Sequence, residues 1–229
     1  MQITLGTILE SLSYETLSFM AESNHANGSI ASDQIPKVVG RVNAVLRRLA
    51  VKFVLRERRI KVNVTADRRY YTLNVDDAWI EEDPDEVFTG DVGRILAIET
   101  PTGRHHDLGD KASLRTIVLR DEGKSFALDT LLEAGVYTVI YKTATPQFVV
   151  DLGSTDLEQI LYIPEPLLNA LYLGVAAITY ENIGGAENIS MAQVKWSQYE
   201  KECAEARVNS AVEVEENDEG NKFLDRGFH

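Results

Sequence analysis

The sequence predicts an α+β protein: a helical bundle of long amphipathic helices, an inserted small antiparallel β domain and an extended acidic C-terminal tail. Three observations predict it. Apolar residues recur every three or four positions near both ends of the chain, they alternate every second position in the middle, and the last stretch is polar and acidic. The expected boundaries are residues 1–56 and 164–208 for the helical body, 57–163 for the β-rich insertion and 209–229 for the tail. With 229 residues, 44% hydrophobic and 26% charged, the chain has the usage of a globular protein with a core of its own.

Ile8, Leu9, Leu12 and Leu17, with Glu10 and Glu15 between them, predict a first helix within residues 3–20. The polar stretch from Glu22 to Ser29 predicts a loop, which leaves His25 solvated. Ser32 or Asp33 can cap the next helix, and Pro36 suits its first turn. Val38, Val42, Val45, Leu46, Leu49 and Phe53 form its buried stripe. The other face carries Arg41, Arg47, Arg48, Lys52, Arg56, Arg58 and Arg59. This basic band is either a solvated face favoured by the helix dipole or a docking strip for an acidic neighbour, including another copy of the chain. Gly40 costs about 1 kcal/mol relative to Ala in a helix, which points to close packing there.

From Ile60 the period falls to two. Ile60, Val62 and Val64, then Tyr71, Leu73 and Val75, predict a hairpin, with further strands at Arg94–Glu99, Leu114–Arg120 and Val136–Thr143. The acidic stretch from Asp77 to Phe88 stays unassigned. Pro164 and Pro166 open a helix whose Leu167, Leu168, Leu171, Tyr172, Val175, Ile178 and Tyr180 cover nearly all its sides, so it must be surrounded. It is too short to cross a bilayer. Gly184-Gly185 ends it, and Ser190 with Gln193 reads as a capping box that opens a last helix striped with Ala192, Trp196, Tyr199, Cys203 and Ala206. The two form a helical hairpin. Beyond Val208 the tail cannot fold alone, yet Phe223, Leu224 and Phe228 offer apolar anchors for a partner's surface.

A formal charge of -13 argues against gripping nucleic acid, although an acidic wall can face DNA without retaining it. The single Cys203 allows no internal disulfide and reads as a buried structural thiol. The N-terminus has no basic segment followed by an apolar run, so a secretory signal is not expected. No phosphate loop, nucleophile elbow or H-E-x-x-H helix occurs. His105-His106-Asp107, with Asp110, is the best metal or hydrolase candidate, but adjacent histidines on an extended chain point in opposite directions. Asn217–Asn221 lacks the alternating ligands of a calcium loop. The expectation is a non-enzymatic part with no catalytic residue, metal or cofactor.

The order of elements carries a resemblance. Thr4-Leu5-Gly6-Thr7-Ile8-Leu9-Glu10 is followed by Ile35-Pro36-Lys37, by Lys52-Phe53-Val54-Leu55-Arg56-Glu57-Arg58 and by a β-rich insertion. Tyr162-Ile163-Pro164-Glu165-Pro166-Leu167-Leu168-Asn169-Ala170-Leu171 and Gln198-Tyr199-Glu200 then complete it. This resembles the head-to-tail adaptor (connector) proteins of tailed bacteriophages, especially short-tailed ones. The resemblance implies a structural virion protein, typically repeated twelve times in a ring beneath the portal protein, with a tail tube or nozzle protein on its other side. DNA would pass through the ring without specific binding during ejection. It implies portal docking by the C-terminal segment, which would use Phe223, Leu224 and Phe228, and subunit contacts that would use Arg41, Arg47, Arg48, Lys52 and Arg56. The alternative is a non-viral ligand-binding module that uses the β domain.

Overall fold

The computed structural model describes residues 1–16, 23–24, 29–81, 87–107, 117–128, 134–145, 147–149 and 156–208. Within them the chain forms two compact units, one joining Met1–Leu55 to the chain from Thr145 onward, the other built from Arg56–Ala144. The first opens with β1 (Gln2–Thr4), α1 (Leu5–Ser11), β2 (Ser23–Asn24), β3 (Ser29–Ile30) and α2 (Ile35–Lys52). The second holds β4 (Glu57–Val64), β5 (Tyr70–Thr72), β6 (Ile80–Glu81), β7 (Val92–Glu99), β8 (His105–Asp107), β9 (Ile117–Arg120), β10 (Ser125–Leu128) and β11 (Gly135–Thr143). The chain returns to the first unit through β12 (Ile160–Tyr162), α3 (Leu168–Ile183) and α4 (Ala186–Val208).

The expected bundle of long amphipathic helices is not what forms. The helices run 7, 18, 16 and 23 residues, and they share the described chain with strands in four antiparallel sheets. The reason lies in the patterning. Only α2 combines a broad apolar stripe (Val38, Val39, Val42, Val45, Leu46, Leu49) with a polar face. α3 is apolar on nearly all sides, and α4 buries just Ala192, Tyr199, Cys203 and Ala206. The helix expected within 3–20 is a strand, α1 and a π-helical turn at Leu12–Thr16; Leu17 lies outside the described residues. Thr4 caps α1 by accepting the Thr7 N–H at 3.2 Å.

In the first unit, β1 lies antiparallel to β12, with Ile3 opposite Leu161, so the segments before and after the β-rich insertion in sequence share one core. Leu5, Ile8, Leu9 and Leu12 join the α2 stripe, Phe53, Leu167, Leu171 and Val175 there. Gln34 rather than Ser32 or Asp33 holds the capping position just before α2, and its side chain makes no cap bond. Nor does Ser190 start α4: the helix begins at Ala186, straight after Gly184 and Gly185, whose φ of 73° and 84° suit glycine. Sequence spacing also misplaced a glycine. A Cβ on Gly40 would meet nothing within 4 Å, whereas one on Gly174 of α3 would lie 2.7 Å from Val45 Cγ1 of α2. Close helix packing therefore falls at Gly174.

In the second unit a five-stranded sheet runs β6-β4-β11-β7-β8 and a three-stranded sheet runs β5-β10-β9. The expected hairpin between Ile60–Val64 and Tyr71–Val75 does not exist, because β4 pairs with β11 and β5 with β10. Alternation identifies a strand but leaves its partner open. β4 alternates exposed and buried residues throughout, and Ile60, Val62 and Val64 meet Ile98, Tyr137, Val139 and Tyr141 in the core. Tyr71 stacks on Phe126 and meets Trp79 edge-on, with ring centroids 5.3 and 6.1 Å apart.

Candidate functional site

The basic band is the first sequence-derived site to test, and the structure divides it. Lys52 Nζ bonds both carboxylate oxygens of Glu200 at 2.7 Å and sits 4.9 Å from the Tyr199 ring centroid. The Arg48 guanidinium lies 4.2 Å from the Trp196 ring centroid, and Trp196 donates its indole N–H to Glu181 at 2.7 Å. Arg41 donates to Thr179 at 3.1 Å. Arg41, Arg48 and Lys52 therefore seat α3 and α4 on α2. Arg47 is exposed on the outer face of α2, Arg56 lies past the helix in the link to β4, and Arg58 and Arg59 lie on β4 itself. A helix of seven cations was expected because the strand period was counted from Ile60, when alternation already begins at Glu57.

Arg58 is the buried member. It meets both Asp91 carboxylate oxygens at 3.1 and 3.2 Å and donates to the Val87 carbonyl at 2.8 Å, while Tyr141 donates to Asp91 at 3.1 Å. A buried guanidinium persists only when paired and hydrogen-bonded in this way. Beside it is a cavity of about 300 Å³, with Arg58, Arg59, Lys61, Glu81, Phe88 and Tyr141 in its wall. No sequence signal pointed to it, because Phe88 and Glu81 come from the stretch that patterning left unassigned.

The histidines separate as β geometry requires. His105 is exposed, with Nδ1 3.4 Å from Glu99 Oε1, and His106 is buried. Burial, then the charges of Arg104 and His105, holds the His106 imidazole below its ordinary value. Among the described residues no three His, Cys, Asp or Glu side chains converge as a metal site, and Asp110 lies outside them. Cys203 is buried and its thiol is pushed up by that burial, so it stays protonated. Tyr199, one turn away, is pushed up by burial and by that thiol, and among the described residues its buried hydroxyl has no nitrogen or oxygen partner, the Cys203 thiol being its polar neighbour.

Asp121 is the one described non-glycine residue with positive φ, at 51°. Its carboxylate accepts hydrogen bonds from the Ser125 and Tyr70 hydroxyls, which hold it below the usual carboxylate range. These bonds fix the turn between β9 and β10.

No family model and no curated protein sequence matches this chain. Among the described residues no helix is long and apolar enough to cross a membrane. Phe223, Leu224 and Phe228, the expected portal anchors, lie outside the described residues.

Proposed function

We propose that this chain is a head-to-tail adaptor of a bacteriophage virion, a non-enzymatic part that assembles as a ring between the portal protein and the tail. One observation carries the reading: a helix-containing core built from segments before and after the insertion in sequence, joined by the β1–β12 pairing, is interrupted by a separately cored β unit. The resemblance itself rests on the motifs flanking that insertion. The charge of -13 adds support, since an acidic ring repels the DNA that must pass through it. With Arg41, Arg48 and Lys52 occupied inside the subunit, Arg47 is the exposed α2 member of the expected contact set that remains for a neighbouring copy. The tail beyond Val208 supplies the portal anchors Phe223, Leu224 and Phe228.

Co-sedimentation of the purified chain with portal rings tests the reading. The full chain should travel with the portal, and a chain cut before Ala211 should remain free; attachment unchanged by the cut would remove the tail's role.

A second reading rests on the cavity beside Arg58, whose mixture of guanidinium, carboxylate and aromatic groups suits a small polar ligand held by the β unit. A monomer that takes up such a ligand and ignores the portal would favour this module over the adaptor.

A further inference from the structure

The segment Gln147–Val149 is held in an unusual way. Phe148 is 4% exposed and belongs to the core of the first unit, while Val149 beside it is 64% exposed. Inward and outward side chains alternate, as on a strand, but the segment belongs to no described sheet. Its main-chain groups are bonded by side-chain amides. Asn43 of α2 accepts the Phe148 N–H at 2.9 Å and donates to the Phe148 carbonyl at 2.9 Å. Gln159, just ahead of β12, accepts the Val149 N–H at 2.7 Å and donates to the Val149 carbonyl at 2.8 Å. Gln159 is itself fixed by donating to the Asp156 carbonyl at 3.0 Å.

Each amide thus offers one donor and one acceptor to a single residue, which is what a neighbouring antiparallel strand offers. Bonds to the main chain recognise any extended peptide, and the side-chain pocket supplies the selectivity. We propose that Asn43 and Gln159 form a clamp for an extended peptide bearing one buried aromatic side chain, occupied here by the chain's own Gln147–Val149 as a releasable strap. Asn43 binds the residue that enters the pocket and Gln159 binds the one that faces out. The proposal goes beyond the adaptor reading and does not depend on it.

The test uses the full-length chain and a fluorescent synthetic peptide of sequence 145–150. Phe148→Ala empties the pocket, and this variant should bind the peptide saturably. Wild-type protein should bind at least tenfold more weakly, because its tethered strap competes at high effective concentration. A peptide with Ala in place of Phe should not bind, and Asn43→Ala added to the Phe148→Ala variant should weaken binding at least tenfold. A folded Phe148→Ala protein that does not distinguish the two peptides overturns the proposal. Should that variant fail to fold, Asn43→Ala and Gln159→Ala are made with Phe148 intact and limited proteolysis within 147–149 is timed. The clamp predicts cleavage at least tenfold faster in either variant, and unchanged rates in both overturn it.

Discussion

Two Gly→Ala substitutions, identical in chemistry, should move stability in opposite directions. In an exposed helix interior Ala is favoured over Gly by about 1 kcal/mol. At Gly40 the new methyl would meet nothing within 4 Å, so Gly40→Ala keeps the whole gain. At Gly174 the same methyl would sit 2.7 and 3.0 Å from the two Val45 methyl carbons and 3.4 Å from the Tyr199 ring. Carbon atoms in contact prefer about 3.5–4.0 Å, and Val45 is fully buried on a helix where a β-branched side chain has one favoured rotamer. Overpacking costs about 1–3 kcal/mol, and an approach of 2.7 Å to a side chain held in one rotamer takes the upper part of that range, about 2–3 kcal/mol, so after the helix gain Gly174→Ala should lose about 1–2 kcal/mol. Urea denaturation followed by helical circular dichroism reads both, as a raised midpoint for Gly40→Ala and a lowered one for Gly174→Ala. A destabilised Gly40→Ala, or a Gly174→Ala as stable as wild type, would refute the assignment of the α2–α3 contact to Gly174.

Other substitutions probe the remaining features. Tyr199→Phe removes a buried hydroxyl with no nitrogen or oxygen partner among the described residues and only the weakly polar Cys203 thiol beside it, so the urea midpoint should hold or rise, with a gain of up to about 1 kcal/mol; a clear fall would mean that the hydroxyl is satisfied. Arg58→Ala takes the guanidinium from Asp91, whose half-buried carboxylate keeps only the Tyr141 hydroxyl of these partners, and should cost the β unit about 2 kcal/mol by intrinsic tryptophan fluorescence, with a near-neutral result contradicting the pairing. His106 is held below its ordinary value of 6.5, so the unfolded chain takes up the proton first as pH falls. Its contribution to stability should be complete above about pH 6.5 and lost below it, and His106→Gln should flatten the urea midpoint between pH 8 and pH 5; an equal slope in both proteins would show that His106 does not titrate this way.

Much of the architecture was legible where one face of an element decides its fate. The α2 stripe from Val38 to Leu49 and the all-round apolar run from Leu167 are helix signals that survive because burial in the first unit rewards them. The strands β7 and β11 cover two of the stretches expected as strands, Arg94–Glu99 and Val136–Thr143. Partners were not legible. β1 meets β12 from across the whole β-rich insertion, and β4 passes over the nearby β5 to pair with β11, choices made by the core as a whole and not by local pattern. Polar roles were harder still. Arg48 and Lys52 looked like a free face because the sequence does not reveal that Trp196 and Glu200 come to meet them. Asn43 carried no signal at all, since its two bonds go to the main chain of a residue 105 positions away.

The central claim is that copies of this chain form a ring on a portal. Native mass spectrometry of purified chain mixed with portal rings measures it directly, with negative-stain images of the same sample. The adaptor reading predicts one closed ring added to each portal, with a copy number matching the portal's symmetry. A chain that remains monomeric and leaves the portal mass unchanged would contradict it.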